Sequence, residues 1–461
     1  MSTATNPAIS SQPIKIHWLE RCYRWAIETP WQWHVVVAYG VLIPVVAMNL
    51  PGVGGLGAAD LLMPISFFIL FCTRPINNLN ISHLAIIGFT FAALMSLLQI
   101  HQFKPAVDCT IRWIRLFGIL MPFYFGIFFK VDNKIIDRAI CSWMVGGLIA
   151  IIIGIFLHIF QIEVRQGQQR LWMNGASILR AGGLIGNSGA FGHMTSTWAV
   201  ISMTYLLTVC RTKMRLVLAG GVVFFTLYVI YISSSRAAMM HLMTAGGVFV
   251  VLFRIPKSLH RWMVLGVVYG VLGIMLLVFA SQCMPKKKGG GGNSNAFETN
   301  MKRFIPGYGG TSAGEFTSNR AGNWPEYIAM MNEKTLFGWG YKMGVRIHEE
   351  SPDNSYLSVM LETGVLGFTC MSFFVVGVFY RLINLYLAGD PYPIVLLPAC
   401  VGQLFNCMTS DIYTFWITMP VVFMLLGLVT QKKPTPQKNN WWQPGKNYDN
   451  YPVKTEADPN R

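Results

Sequence analysis

Charged residues are scarce in this chain. Only 12% of its 461 residues are Asp, Glu, Lys or Arg, whereas 53% are hydrophobic. A soluble chain of this length needs roughly twice that share of charge to cover its surface. Repeated apolar runs long enough to cross a hydrocarbon core instead indicate a polytopic membrane protein. Because helices satisfy their own backbone polar groups in lipid at these lengths, the predicted fold is all-α.

Several other features are missing. The sequence contains no Asp-x-Asp pair, which argues against a divalent metal held by carboxylates. Its nine cysteines lie mostly in or beside apolar runs and lack metal or disulfide spacing, so they are expected to pack as small membrane-core residues. The segment before the first span is rich in Trp and carries charges of both signs, so we expect no cleavable signal peptide there. We therefore predict no metal and no cofactor.

Twelve apolar segments are candidate membrane spans. They cover residues 34–50, 58–73, 82–100, 111–129, 139–161, 190–210, 216–233, 237–253, 262–284, 356–385, 392–409 and 413–430. This pattern divides the chain into five parts. They are a cytoplasmic or interfacial segment (1–33), spans one to nine (34–284), a long polar loop with a short helix (285–355), spans ten to twelve (356–430) and a disordered cytoplasmic tail (431–461).

Positive charge is in excess, with 36 Lys and Arg against 20 Asp and Glu and a formal net charge of +16. Such a balance can indicate nucleic-acid binding, but here the basic residues fall in alternate loops and in the tail. That distribution follows the positive-inside rule of membrane proteins. We therefore predict no nucleic-acid partner, cytoplasmic termini and an outer location for the 285–355 loop.

Arginines recur at the predicted outer face. Arg112 and Arg115 are three residues apart and share one helical face, where they could reach lipid headgroups, pair with Asp108 or contact an anionic ligand. Arg180 begins a glycine-rich stretch, whose small residues suit either ligand binding or close helix packing. Arg236 lies in a tight hairpin among serines, where it needs an anionic partner from the protein or a substrate.

The stretch from His348 to Gly367 closes the long loop and runs into an apolar helix. Ionisable groups at such a position are expected to have a use. Asp353 and Asn354 are candidates for chemistry, with helix capping as the alternative, and Glu362 is a candidate to cap or to pair with an arginine. Earlier in the loop, Pro325 suits the first turn of a short helix.

Four blocks in this order resemble the O-antigen ligase/polymerase superfamily of bacterial membrane glycosyltransferases. They are Arg180 with Gly186-Asn187; Ser235-Arg236; Arg320 with Trp324 and Leu336-Phe-Gly-Trp-Gly340; and Asp353-Asn354-Ser-Tyr356-Leu357 with Glu362-Thr-Gly364-Val-Leu-Gly367. The span layout, with a large outer loop before the third-last span, is also similar to that family.

The resemblance implies transfer of a polyprenyl-diphosphate-linked glycan to a sugar hydroxyl on the outer side of the inner membrane. Members either polymerise repeat units or ligate finished polymer to lipid A–core or protein. The expected partners are the lipid-linked donor, a glycan or lipid A–core acceptor, membrane lipids and other glycan-assembly proteins.

Site roles also follow from the resemblance. Arg180 and Arg236 would hold the diphosphate, with Arg320, Arg112 or Arg115 contributing, since an arginine fork pairs with phosphate oxygens in two places. Asp353 or His348 would act on the acceptor hydroxyl beside Asn354, supported by Tyr356 and Glu362. The family pattern has His directly before this Asn, whereas this chain has Asp353, and the departure favours a polymerase over a ligase.

Two functions from other classes of protein stay open. A transporter or lipid flippase would also have about twelve spans, but it usually places ionisable groups near the middle of the membrane on broken helices. A scaffold that recruits assembly partners would leave the outer arginines unexplained.

Overall fold

Helices dominate the structure, a computed structural model. It describes residues 30–45, 47–50, 54–72, 79–164, 168, 170–173, 176–210, 212, 214–233, 235–254, 324–344, 353–408 and 417–433. Four expectations fall outside these residues: the N-terminal interfacial segment before residue 30, the ninth span (262–284), most of the polar loop up to residue 323, and the tail beyond residue 433.

Helices lie at each predicted span except the ninth, which is outside the described residues. The helices of the described residues are α1 (Trp31–Val45), α2 (Ala58–Cys72), α3 (Ile81–Leu97), α4 (Phe103–Leu120), α5 (Phe125–Phe128), α6 (Asn133–Ile159), α7 (Ser188–Thr208), α8 (Arg215–Ser233), α9 (Arg236–Arg254), α10 (Trp324–Glu333), α11 (Ser355–Leu387), α12 (Tyr392–Asn406) and α13 (Met419–Gln431). Of these, α10 is the short helix expected in the polar loop. Single 3-10 turns cover Met121–Tyr124 and Gly183–Ile185.

Four helical stretches in the described part are long and apolar enough to cross a membrane. They are Phe103–Phe128, Asn133–Ile159, Arg215–Ser233 and Ser355–Leu387. The other apolar helices are shorter, at 10–17 residues, and α7 is buried within the bundle along most of its length. The helical membrane architecture is therefore confirmed, whereas the total of twelve spans stays a prediction.

Two small hairpins supplement the helices. Ala47–Leu50 (β1) pairs antiparallel with Gly54–Gly57 (β2), and Arg170–Met173 (β3) pairs antiparallel with Ala176–Leu179 (β4). The register matches Ala47 with Gly57 and Arg170 with Leu179. The β3–β4 hairpin lies in a loop that the sequence assigns to the outer side, whereas β1 takes up the last residues of the predicted first span, 34–50, whose helix ends at Val45.

The fourth helix differs from its predicted span. It begins at Phe103, not near 111, and so includes the polar residues Lys104 and Asp108. It gives way to the 3-10 turn at Met121, next to Pro122, whose ring cannot continue an α-helix. Arg112 and Arg115 therefore lie well inside α4 and not in its first turn.

Contacts between elements sort the loops into two groups. At one end of the bundle the Tyr341 backbone N–H donates to Ser96 Oγ at 2.9 Å, which joins the segment after α10 to the last turn of α3, both at the predicted outer side. At the other end the Tyr392 hydroxyl donates to Asp137 at 2.8 Å, which joins two predicted cytoplasmic ends. The grouping agrees with the predicted alternation, and which end faces the cell exterior stays a prediction.

Helix α11 is interrupted at Gly364, where the backbone adopts φ 65° and ψ −168°. The segment Thr335–Gly340 fills the gap with main-chain hydrogen bonds. They run from Trp339 N to Leu361 O (2.9 Å), Gly340 N to Glu362 O (3.1 Å), Val365 N to Thr335 O (2.8 Å) and Leu366 N to Leu336 O (3.4 Å). We call this arrangement the α11 joint. It supplies partners to backbone groups that the break removes from the helix.

Glycine is required on both sides of the α11 joint. A Cβ at Gly364 would collide with the carbonyl of Leu336, and the left-handed φ disfavours other residues there. A Cβ at Gly338 would come within 2.6 Å of the Glu362 carbonyl carbon. The third and fourth sequence blocks are thus two halves of one structural contact.

Candidate functional site

Arg180 is held between the ends of α6 and α8. Its guanidinium donates from Nε and Nη2 to the carbonyl oxygen of Ser233, at 3.0 and 2.6 Å. The backbone on either side is also fixed, because Ala181 N–H donates to Ile232 O at 3.2 Å and Gln168 donates to Arg180 O at 2.8 Å. The half-buried side chain therefore has a defined position next to the α8–α9 hairpin.

Arg236 begins α9 three residues beyond the Ser233 carbonyl that Arg180 contacts. The preceding Ser235 is buried and packs on α7, where a Cβ added to Gly192 would lie 2.5 Å from the Ser235 Cβ. Gly192 therefore allows α7 to approach the hairpin closely. The structure places the arginine-bearing segments of the first and second blocks side by side.

Two asparagines cap helices at this end of the bundle. Asn187 Oδ1 accepts from Ala190 N–H at 3.0 Å at the start of α7. Asn354 Oδ1 accepts from the N–H groups of Tyr356 and Leu357, at 3.0 and 3.2 Å, at the start of α11. The capping alternative is thus observed for Asn354, and a role in chemistry stays a prediction.

Asp353 precedes this cap in a left-handed backbone conformation, with φ 45°. Asp and Asn adopt this region more readily than most residues with a side chain. Its side chain is partly exposed, whereas Asn354 is buried. The turn therefore directs the two neighbouring polar residues into different environments.

The start of α11 rests on the end of α12. Ser355 N–H donates to Cys407 O at 2.7 Å, and the Tyr356 hydroxyl donates to Leu404 O at 2.7 Å. Tyr356 therefore has a positioning contact, as its predicted supporting role requires.

A buried polar network lies one to two turns below this end. His193 Nε2 shares a 2.6 Å hydrogen bond with Gln403 Oε1, and Gln403 Nε2 donates to Thr197 Oγ1 at 2.7 Å. His241 Nδ1 lies 3.0 Å from Ser196 Oγ, and the two imidazole rings stack with centroids 5.8 Å apart. We call these five residues the α7–α9–α12 network. It fixes α7 and α9, whose first residues adjoin the first two blocks, against α12, which supports the fourth.

The sequence interpretation missed Gln403 and His241. Each is a polar side chain in an apolar segment, and such residues deserve a functional hypothesis in a membrane protein. Neither lies in a block that resembles the family.

Two predicted ligands of the diphosphate form ion pairs within the protein, and their role in binding stays a prediction. Arg112 Nε is 3.1 Å from Asp108 Oδ2, and Arg115 Nε is 3.2 Å from Asp60 Oδ1. The pairing alternative is thus observed for Arg112.

Glu362 is almost fully buried at the α11 joint, with 2% of its surface exposed. A Cβ at Gly344 would lie 3.6 Å from its Oε1 atom, so the loop covers the carboxyl group. His348 and Arg320 lie outside the described residues, and their roles stay predictions.

The geometry gathers the first, second and fourth blocks at one end of the bundle around α7 and α12. Residues 221–372 match the family model described as O-antigen ligase. This match supports the O-antigen ligase/polymerase superfamily as the family of this chain. The matched region includes Arg236, Asp353 and the α11 joint, while Arg180 precedes it. Comparison with curated proteins gave no match.

Members of this superfamily are glycosyltransferase-like enzymes, both ligases and polymerases. The arrangement suits such chemistry, because a leaving diphosphate gains negative charge and fixed guanidinium donors stabilise it.

Proposed function

We propose that this protein is a metal-independent membrane glycosyltransferase that polymerises glycan repeat units carried on polyprenyl diphosphate. The acceptor is a sugar hydroxyl at the periplasmic face of the bacterial inner membrane. The observation that carries the proposal is the contact between Arg180 and Ser233, because it brings the segments of two arginines together at one end of the bundle.

In the proposed reaction the acceptor oxygen attacks the anomeric carbon as the bond to the diphosphate breaks. Arg180 and Arg236 bind the diphosphate and stabilise its developing charge. Asp353, or His348, takes the proton of the attacking hydroxyl, and Asn354 keeps the turn in place. Removing one preorganised cation costs roughly 3–4 kcal/mol of barrier, whereas a general base contributes about 10²–10⁴-fold. Asp in place of His is therefore compatible with activity.

Ligation is the second candidate function, and the description of the matching family as O-antigen ligase favours it. The two reactions share a donor but differ in acceptor. Asp353 at the position before Asn354 supports polymerisation.

Transport is the competing class, since transporters often bind ions at a broken helix. The break at Gly364 bears on this point. The backbone groups beside the break form hydrogen bonds with Thr335, Leu336, Trp339 and Gly340, so their partners are protein groups and not an ion. This supports an enzyme over a transporter.

The test uses purified protein in vesicles with a lipid-linked repeat unit as donor. A polymerase releases polyprenyl diphosphate and forms a ladder of products without another acceptor. A ligase releases it only when lipid A–core or acceptor protein is added. Movement of intact donor across the vesicle without release would refute the enzyme and support the transporter.

A variant separates the arginine assignment from the reaction class. Arg236→Ala should abolish release and product while the protein still inserts and purifies as a folded species. Normal product from this variant would overturn the assignment.

A further inference from the structure

The opposite end of the bundle contains an open cleft of about 680 Å³. It lies between the loop that joins α5 to α6 and the end of α13. Four lysines and one carboxylate are among its lining residues: Lys130, Lys134, Lys432, Lys433 and Asp132. The cleft is therefore strongly basic, and it is remote from the candidate site for glycan transfer.

The charges of the cleft are not equivalent. Lys432 is buried and pairs with Asp390, with its Nζ 4.7 Å from the centre of the Tyr392 ring. Asp132 Oδ1 accepts from Ile135 N–H at 2.9 Å and so caps α6. Lys130, Lys134 and Lys433 are exposed. Within the described part of the chain, none of these three has an ion pair with a carboxylate.

The walls of the cleft are held in place. Arg381 donates to Thr430 O at 2.8 Å and to Lys432 O at 2.9 Å, which anchors the end of α13. On the other side, Phe129 contacts the edge of Trp31, with ring centroids 5.9 Å apart. The three lysines thus surround a preformed space.

Nearby aromatic residues place this cleft at the depth of lipid headgroups. Trp31 is 43% exposed, and Trp33 lies under the guanidinium of Arg138, whose Cζ is 3.4 Å from the ring centre. Tryptophan and basic side chains are enriched at the membrane–water interface. Basic pockets between helices on the cytoplasmic side are suited to anionic headgroups.

We propose that the cleft binds a phosphate-bearing anion through Lys130, Lys134 and Lys433, with the headgroup of an anionic phospholipid as its source. The volume suits a headgroup, since ligand pockets usually measure about 300–1,000 Å³. This inference is independent of the proposed glycan transfer.

The test compares two triple variants of the full chain. K130Q/K134Q/K433Q removes three charges from the cleft, and K286Q/K287Q/K288Q removes three from the polar loop. Native mass spectrometry in detergent measures binding of phosphatidylglycerol and phosphatidylcholine. Each lysine near a membrane surface contributes about fivefold to anionic lipid binding. The cleft variant should therefore bind phosphatidylglycerol at least about tenfold more weakly, while the loop variant matches the wild type.

A second arm identifies the source of the phosphate group. Inorganic phosphate is titrated into lipid-free protein, and the melting temperature is followed. If only phosphatidylglycerol raises the melting temperature, the bound ligand is the lipid headgroup. If inorganic phosphate raises it equally, and this effect is lost in the cleft variant, the ligand is a soluble anion and the lipid assignment is overturned. Equal lipid binding by both triple variants would overturn the site. The melting temperature of each variant without lipid verifies that it is folded.

Discussion

Arg180 donates two hydrogen bonds to one acceptor, the carbonyl oxygen of Ser233 at the end of α8. This contact satisfies a helix-end carbonyl and brings a guanidinium next to the Arg236 hairpin. One residue therefore has a structural contact and a predicted binding role, and the two must be separated by experiment.

Arg180→Ala should lower both stability and donor turnover. Loss of a charged hydrogen bond costs about 1.5–3 kcal/mol, and loss of one preorganised donor lowers the rate by roughly 10²–10³-fold. Arg381→Ala is the matched control, because Arg381 also donates to helix-end carbonyls, at the opposite end of the bundle. It should lose stability and keep turnover. Equal rate losses in the two variants would leave Arg180 with a structural role alone.

Asp353→Asn tests the chemical role of the carboxylate. Asparagine tolerates the left-handed backbone seen at φ 45°, so the turn and the stability should be kept. The rate of glycan transfer should fall by about 10²–10⁴-fold if this carboxylate is the base. His348→Ala, assayed in parallel, covers the other candidate. Full activity of Asp353→Asn with an inactive His348→Ala would assign the role to the histidine.

Gly364→Ala should break the α11 joint. The new Cβ meets the Leu336 carbonyl, and the backbone at φ 65° and ψ −168°, a region essentially confined to glycine, costs about 1–3 kcal/mol for a residue with a side chain. We expect a lower melting temperature and faster proteolysis within 335–340. Gly247→Ala is the control, since a Cβ there meets no atom within 4 Å, and it should be nearly neutral. Similar melting temperatures for the two variants would contradict the joint.

The α7–α9–α12 network should behave as a coupled unit. His193→Leu and Gln403→Leu each remove one partner of a buried 2.6 Å hydrogen bond and leave the other partner unsatisfied. Each should cost about 1–3 kcal/mol of unfolding free energy. The double variant should lose less unfolding free energy than the sum of the two single variants, because it leaves no buried polar group without its partner from this hydrogen bond. Additive losses in a denaturation assay would show that the two side chains act independently.

Hydropathy located the helices well because an apolar run reports directly on burial in lipid. It failed at the start of α4, where Lys104 and Asp108 belong to the helix but not to an apolar run. Helix formation depends on backbone hydrogen bonds, which polar side chains at a membrane surface do not prevent. The hairpins were missed because four-residue strands leave too few alternating positions to recognise.

The site was predictable in part. The blocks containing Arg180, Arg236 and Asn354 were found by resemblance, and their segments meet at one end of the bundle. The pairing of Arg112 with Asp108 was foreseen at i and i+4, whereas that of Arg115 with Asp60 depends on packing between distant segments. The association of Gln403 with His193, 210 residues apart, likewise follows from tertiary structure.

The α11 joint has a consequence for motion at the proposed active site. Separation of the first turns of α11 from residues 335–340 would break the bonds from Trp339 to Leu361 and from Gly340 to Glu362. Four main-chain groups would lose their partners at once, at about 1–3 kcal/mol each. The turn that contains Asp353 and residues 335–340 should therefore move together as one rigid unit. Any substrate-dependent opening is then expected to pivot outside this pair of segments, and not between them.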